Sequence, residues 1–301
     1  MNAKPYQSRF YSRWKTVLIA AFTLLGHLPP SRSEQPTEPK LIPYKTTSDA
    51  KKEPVKLHLH IFTPNDTPEK TNRPAIVFFF GGGWMGGTPS QFYPQCRHLA
   101  QRGMVAISAE YRTARPHGTT PAECVKDGKS ALRYVRANAK SLGIDPLRIA
   151  AGGGSAGGHV AAAIATLEGF NDPEDDSTVS AKPDALVLFN PVFDNGPTGY
   201  GHDRVKAYWQ SFSPLHNLSA QTPPAVVFLG TKDNLIPTTT AEAFRDTMKK
   251  LGVRSELFLY EGQPHGFFNA KNPEYYEKTL AEADRFLTSL GYLTPRTPET
   301  K

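Results

Sequence analysis

The sequence predicts one α/β domain built on a mostly parallel sheet with helices on both faces. Three observations lead there. Pro74–Phe80 and Val105–Ala109 are continuous apolar runs, the mark of strands covered on both faces. Further strand-like runs alternate with helical patterns to the C-terminus, the order that βαβ units impose. The 301 residues are 39% hydrophobic and 21% charged, which suits one large core.

In chain order, Leu57–Phe62 alternates apolar and polar residues, as a half-buried antiparallel strand does. After the two apolar runs, Pro121–Ser141 reads as a long helix, with proline in its first turn and Gly143 closing it. Arg148–Ala151 reads as a strand and Gly158–Leu167 as a helix of small residues. Strands follow at Ala185–Phe189, Ala225–Leu229 and Glu256–Tyr260, with helices at Thr239–Lys250 and Glu274–Leu290. Residues 54–292 are thus assigned to the domain and 293–301 to a flexible tail. Residues 34–53, polar and broken by Pro36, Pro39 and Pro43, read as a linker.

Residues 1–33 read as a signal peptide. Lys4, Arg9, Arg13 and Lys15 precede the apolar run Val17–Leu25, which is too short to cross a bilayer comfortably, so cleavage is expected rather than a stable membrane anchor. Ser31-Arg32-Ser33 supplies a small-x-small site before Glu34. A secreted or periplasmic location follows as the expectation. With Arg32, this segment holds five of the positive charges behind the net +7 and no acid, leaving +2 for the rest. A nearly neutral body argues against nucleic-acid binding.

The chemistry centres on Gly153-Gly154-Ser155-Ala156-Gly157, a G-x-S-x-G run between a strand and a helix. Such a sharp turn lifts a serine hydroxyl above the sheet, with helix N–H groups behind it to receive a developing oxyanion. A serine hydroxyl becomes a nucleophile when a histidine takes its proton, and that histidine needs a carboxylate to fix its tautomer. Asp233 and His265 each follow a strand, in the order Ser, Asp, His. They are the candidate catalytic partners of Ser155. Phe80-Gly81-Gly82-Gly83-Trp84, directly after another strand, offers a backbone donor to complete an oxyanion hole with the N–H of Ala156.

Together with Glu110-Tyr111-Arg112, Gly143-Ile144-Asp145-Pro146, Asn190-Pro191 and His265-Gly266-Phe267, these pieces run in order from about residue 55 to 290. The set resembles the α/β-hydrolase-fold esterases of the HGGG class, near the feruloyl and acetyl-xylan esterase branch. The resemblance implies Ser155 as nucleophile, His265 as general base and then acid, Asp233 as its orienter, and Gly82, Gly83 and Ala156 as the donors of the oxyanion hole. The family's motif histidine is Phe80 here, and packing by Phe80 is expected to brace the glycine loop in its place.

No dinucleotide fingerprint or phosphate loop is present, so no cofactor is expected. Asp172-Pro173-Glu174-Asp175-Asp176 lacks the ligand spacing of a calcium site and reads as a solvated acidic loop, leaving no metal ligands assigned. Cys96 and Cys124 read as buried free thiols. No large cap domain is expected; Pro191–Pro224, with Tyr200, His202, Tyr208 and Trp209, is expected to fold over one side of the site or to be ordinary packing. An open site beside Trp84 and Phe267, taken as substrate-binding residues, suits a small acyl group on a bulky alcohol. The expected partner is therefore a small or polymeric ester, an acetylated polysaccharide above all. An amide hydrolase of the same fold (an arylformamidase or small peptidase) and a catalytically silent binding protein are the alternatives.

Overall fold

The computed structural model describes residues 38–64 and 72–296, besides Met1. The signal-peptide reading of residues 1–33 lies outside them. Eight strands form one sheet: β1 (Lys40–Ser48), β2 (Pro54–Phe62), β3 (Arg73–Phe79), β4 (Val105–Ala109), β5 (Ile144–Gly154), β6 (Ala185–Phe189), β7 (Ala225–Gly230) and β8 (Ser255–Tyr260). Their order is β1-β2-β4-β3-β5-β6-β7-β8. The β1–β2 and β2–β4 pairs are antiparallel, and every later pair is parallel.

The helices are α1 (Tyr93–Gln101), α2 (Ala114–His117), α3 (Pro121–Ala137), α4 (Ala139–Leu142), α5 (Ala156–Thr166), α6 (His202–Val205), α7 (Trp209–Phe212), α8 (Thr238–Lys250) and α9 (Pro273–Ser289). Side chains of the central strands alternate between two cores. Val77 and Phe79 face the core that contains α3, α5 and α8 residues; Ile76 and Phe78 face the one that contains α1 and α9 residues. Burial on both faces is why these strands lack a polar side in the sequence. Cys96 and Cys124 are free, buried and on opposite faces of the sheet.

Three boundaries differ from the sequence reading. The long helix breaks at Asn138, whose side chain bonds the Tyr134 carbonyl, so α3 ends at Ala137 and α4 follows. A capping box between Thr120 and Glu123 opens α3. The stretch read as a linker, 34–53, contains β1. Its polar composition is that of an edge strand, and Pro43 is tolerated because the register shifts between Pro43 and Lys45. At the other end, the stretch read as a tail, 293–301, begins packed and is then held by polar contacts through Arg296. Leu293 is buried, the Thr294 carbonyl accepts a bond from Arg102, and Arg296 pairs with Asp284.

β1 is fastened by a buried charge cluster. Asp127 on α3 has a side chain 0% exposed, and it pairs with Arg112 (2.8 Å) and with Lys45 of β1 (2.8 Å). Lys45 also pairs with Asp172 at 2.6 Å, and the Tyr44 hydroxyl donates to the Glu110 carbonyl at 2.7 Å. Removing Asp127 would leave the Arg112 guanidinium buried without its carboxylate. Asp127→Ala should lower unfolding free energy by about 3–5 kcal/mol, measured by urea denaturation.

Candidate active site

β5 ends at Gly154 and α5 begins at Ala156, so Ser155 alone makes the turn, at φ 54° and ψ −121°. A non-glycine residue in this region carries backbone strain of about 1–3 kcal/mol. Backbone bonds hold it there: the Ser155 N–H donates to Phe189, while His159 and Val192 donate to the Ser155 carbonyl. Close approach requires glycine on both sides. A Cβ on Gly154 would meet the Phe268 ring at 2.5 Å, and one on Gly157 would collide with the Phe79 and Phe80 carbonyls. The turn is thereby seated on the end of β3.

Sheet order brings the other two candidates to Ser155. Asp233 and His265 follow β7 and β8, the neighbouring strands, whose loops are bonded through Thr231 N–H to the Tyr260 carbonyl and Lys232 N–H to the Gln263 carbonyl. Asp233 Oδ1 accepts from the N–H groups of Leu235 and Ile236, both at 2.9 Å. Its Oδ2 lies 2.6 Å from His265 Nδ1. An ionised carboxylate only accepts, so Nδ1 carries the proton and Nε2 presents its lone pair. Nε2 is 2.9 Å from Ser155 Oγ. This continuous chain can take the hydroxyl proton as the oxygen attacks, with the imidazolium stabilised by a carboxylate that is itself buried and doubly bonded.

The glycine loop follows β3, next to β5, so Gly81 abuts the turn: a Cβ there would lie 3.3 Å from Ser155 Cβ. Gly81 N–H donates to Gln91 Oε1 at 2.6 Å, Met85 N–H donates to the Gly82 carbonyl at 3.0 Å, and Arg204 donates to the Gly83 carbonyl. Across the turn, the first N–H groups of α5, Ala156 among them, have no acceptor within their own helix. Phe80 does pack as a brace. Its ring stacks on Tyr111 at 4.2 Å, lies where a Cβ on Gly87 would sit, and its carbonyl accepts the Tyr111 hydroxyl.

Two expected substrate-binding residues are in the core instead. Trp84 is 1% exposed; its indole packs among His159, Tyr200 and Phe212, with the Arg204 guanidinium 4.9 Å from the ring centroid. Phe267 is 2% exposed and packs on Tyr260 and Tyr275. Burying a large aromatic gains more than leaving it at an open rim, and both have an apolar face to meet. The loop presents Met85 instead, 37% exposed. Pro191–Pro224 forms α6, α7 and a further short turn, and its aromatics pack together: Tyr208 on Phe212, and Trp209 on His202 and His216.

Three polar residues at the site were assigned no role from sequence. Asn190, at φ 33°, accepts from Gly266 N–H (2.9 Å), and its Nδ2 is 3.5 Å from His265 Nε2. Gln91 and Asn269 are bonded to each other at 3.1 Å across 178 residues, a contact no local pattern signals. A cleft of about 630 Å³, lined by Thr88, Ser90, Gln91, Gly266, Asn269 and Lys271 among others, borders this loop. A second cavity of about 850 Å³, between α1 and α9, contains none of the three. Two of the four acids of the acidic loop are paired, Asp172 with Lys45 and Asp175 with Arg133.

His159 on α5 is fully buried against Phe212 and Trp84, with Nε2 donating to the Phe212 carbonyl at 3.1 Å. Burial lowers its pKa from 6.5 to about 3. The folded protein keeps this imidazole neutral where the unfolded chain protonates it, so stability falls as pH drops from 6.5 toward 3. In urea unfolding across that window, His159→Gln should show an acid slope shallower than wild type by about 1.4 kcal/mol per pH unit.

The BD-FAE family model matches residues 59–248. Among curated proteins, AB hydrolase superfamily protein C1039.03 of Schizosaccharomyces pombe is 29% identical over 276 residues, covering 80% of this chain and 76% of that one. The acetylxylan esterase of Xylanibacter ruminicola is 27% identical over 241 residues, covering 74% of this chain and 47% of that longer protein. A thermophilic esterase of Thermogutta terrifontis, solved with propionate bound, superposes with a TM-score of 0.80 at 42% identity, covering 87% of this chain and 97% of that one. The same esterase has also been solved with butyrate bound. With an eight-stranded, mostly parallel sheet and these relatives, the chain belongs to the BD-FAE family and is a serine ester hydrolase of the α/β-hydrolase fold.

Proposed function

We propose that this protein is an exported carboxylesterase that removes short acyl groups, acetyl foremost, from carbohydrate esters through an acyl-enzyme on Ser155. The observation that carries the chemistry is the bonded chain from Ser155 Oγ through His265 to Asp233. In this reading Ser155 Oγ attacks the ester carbonyl as His265 Nε2 takes its proton. The oxyanion is met by the N–H groups of Gly82, Gly83 and Ala156. Collapse expels the alcohol, which receives the proton from His265. Water, deprotonated by the same nitrogen, then attacks the acyl-serine, and the free acid leaves.

Short acyl groups are supported by the propionate- and butyrate-bound states of the similar esterase, and carbohydrate esters by the similar acetylxylan esterase. A cleft bordered by Thr88, Ser90, Asn269 and Lys271 offers hydroxyl, amide and ammonium groups to a polar alcohol. Export rests on the basic, then apolar, residues 1–33.

The test compares p-nitrophenyl acetate, butyrate and octanoate hydrolysis with acetate release from acetylated xylan. Acetate preference and release from the polymer are expected, and cleavage of small esters alone would remove the carbohydrate assignment. Ser155→Ala should lose on the order of 10⁴-fold or more in kcat with its circular dichroism unchanged. Near-normal turnover in that variant would remove Ser155 as nucleophile. The mass of the protein recovered from an exporting host should correspond to a chain starting at Glu34, and retention of residues 1–33 would count against export.

A further inference from the structure

Between the glycine loop and the histidine loop runs a series of amide hydrogen bonds, all pointing the same way. Gly81 N–H donates to Gln91 Oε1 (2.6 Å), Gln91 Nε2 donates to Asn269 Oδ1 (3.1 Å), and Asn269 Nδ2 donates to the Gly266 carbonyl (2.8 Å). Gly266 N–H then donates to Asn190 Oδ1 (2.9 Å), leaving Asn190 Nδ2 facing His265 Nε2 at 3.5 Å. Backbone ends set the direction. A peptide N–H can only donate, so Gly81 fixes which way the Gln91 amide faces, and Gly266 fixes Asn190. Each side-chain amide therefore has one orientation, and aligned bonds of this kind reinforce one another.

Gln91 is itself rigidly placed. It lies in the short helical turn Pro89–Phe92, whose Pro89 carbonyl accepts the Ser108 hydroxyl of β4 at 2.8 Å. The next residue, Phe92, is buried and stacks on Phe78 at 4.8 Å and on Phe268 at 5.7 Å. Phe268 is the ring that occupies the space beside Gly154. The turn thus touches the loops that carry Gly81 and His265 and reaches the Ser155 turn through Phe268, and Gln91 is its polar link between the first two.

We infer that Gln91 is a positioning residue that ties the glycine loop to the histidine loop, setting the donors of Gly82 and Gly83 relative to the Ser155–His265 pair. This rests on the oxyanion and triad assignments proposed above. The Gln91 carboxamide holds the loop at the Gly81 N–H, not at the Gly82 and Gly83 groups assigned above as donors, so losing it loosens those donors without removing one of them.

The experiment is steady-state hydrolysis of p-nitrophenyl acetate by Gln91→Met, Gln91→Glu, Asn269→Ala and the Gln91→Met/Asn269→Ala pair, with Ser155→Ala alongside and thermal unfolding of each. Gln91→Met should lose about tenfold to a hundredfold in kcat with KM within about twofold, because donors are misaimed rather than binding groups lost. Gln91→Glu keeps an oxygen for the Gly81 N–H but has no hydrogen to donate to Asn269 Oδ1, so it should lose less than Gln91→Met and about as much as Asn269→Ala. Asn269→Ala should lose less, and the pair no more than Gln91→Met alone, as members of one bonded series do. Wild-type kcat in Gln91→Met overturns the inference. So does wild-type kcat in Gln91→Glu or Asn269→Ala, each of which cuts the link, or a loss that tracks the fraction unfolded. Should Gln91→Met not fold, Gln91→Glu and Asn269→Ala still decide, since each removes the bond between residues 91 and 269 and both must lose activity for the series to stand. Turnover surviving in Ser155→Ala would instead bring down the underlying reading; its loss beside unaffected Gln91 variants defeats this inference alone.

Discussion

The site depends on one steric constraint: the turn between β5 and α5 must lie against the end of β3 with almost no space between backbones. Side chains at 154 or 157 would occupy the Phe268 ring or the carbonyls of β3. With them absent, Ser155 can be held at φ 54° by bonds to Phe189, His159 and Val192. Strain confined to one residue is tolerated because the surrounding backbone leaves it no alternative. What results is a hydroxyl standing free of the sheet, beside the glycine loop on one flank and the histidine on the other.

Strand order does the rest of the assembly. Placing β3 beside β5 brings Gly81 against Ser155, and placing β8 beside β7 brings His265 to Asp233. The loops at this end are braced by unlike materials. Aromatic stacking supports the glycine loop from below, through Phe80 on Tyr111 and Trp84 among its neighbours. Directional amide bonds join it to the histidine loop through Gln91 and Asn269. Stacking supplies bulk and burial, while the amides supply orientation, which a ring cannot set.

Away from the chemistry, two clusters of paired charges are buried. Asp127 holds Arg112 and Lys45, tying the edge strand β1 to α3, and Asp284 holds Arg102, His98 and Arg296 beneath the C-terminal residues. Each cluster reaches into a stretch that reads as unstructured, through Lys45 in 34–53 and Arg296 in 293–301. Polar composition marks an edge strand and a linker alike. What separates them is the partner each side chain finds, and those partners are distant in sequence.

The central strands were legible because burial on both faces leaves an unbroken apolar run, and Ser155, Asp233 and His265 because each follows such a run in a set order. The sequence by itself therefore determined the central strands, the candidate reacting residues and the need for small neighbours around Ser155. Tertiary structure decided everything that depends on which way a side chain turns. Trp84 and Phe267 sit beside the site in sequence yet point into the core, where their apolar area is buried. Gln91 and Asn269 carry no local signature, and Asn190 sits in a motif that names no role for it, since an amide gains its meaning from a partner: 178 residues separate Gln91 from Asn269. Periodicity and spacing report what a segment does along its own axis. A hydrogen bond between loops exists only once the sheet has brought their ends together.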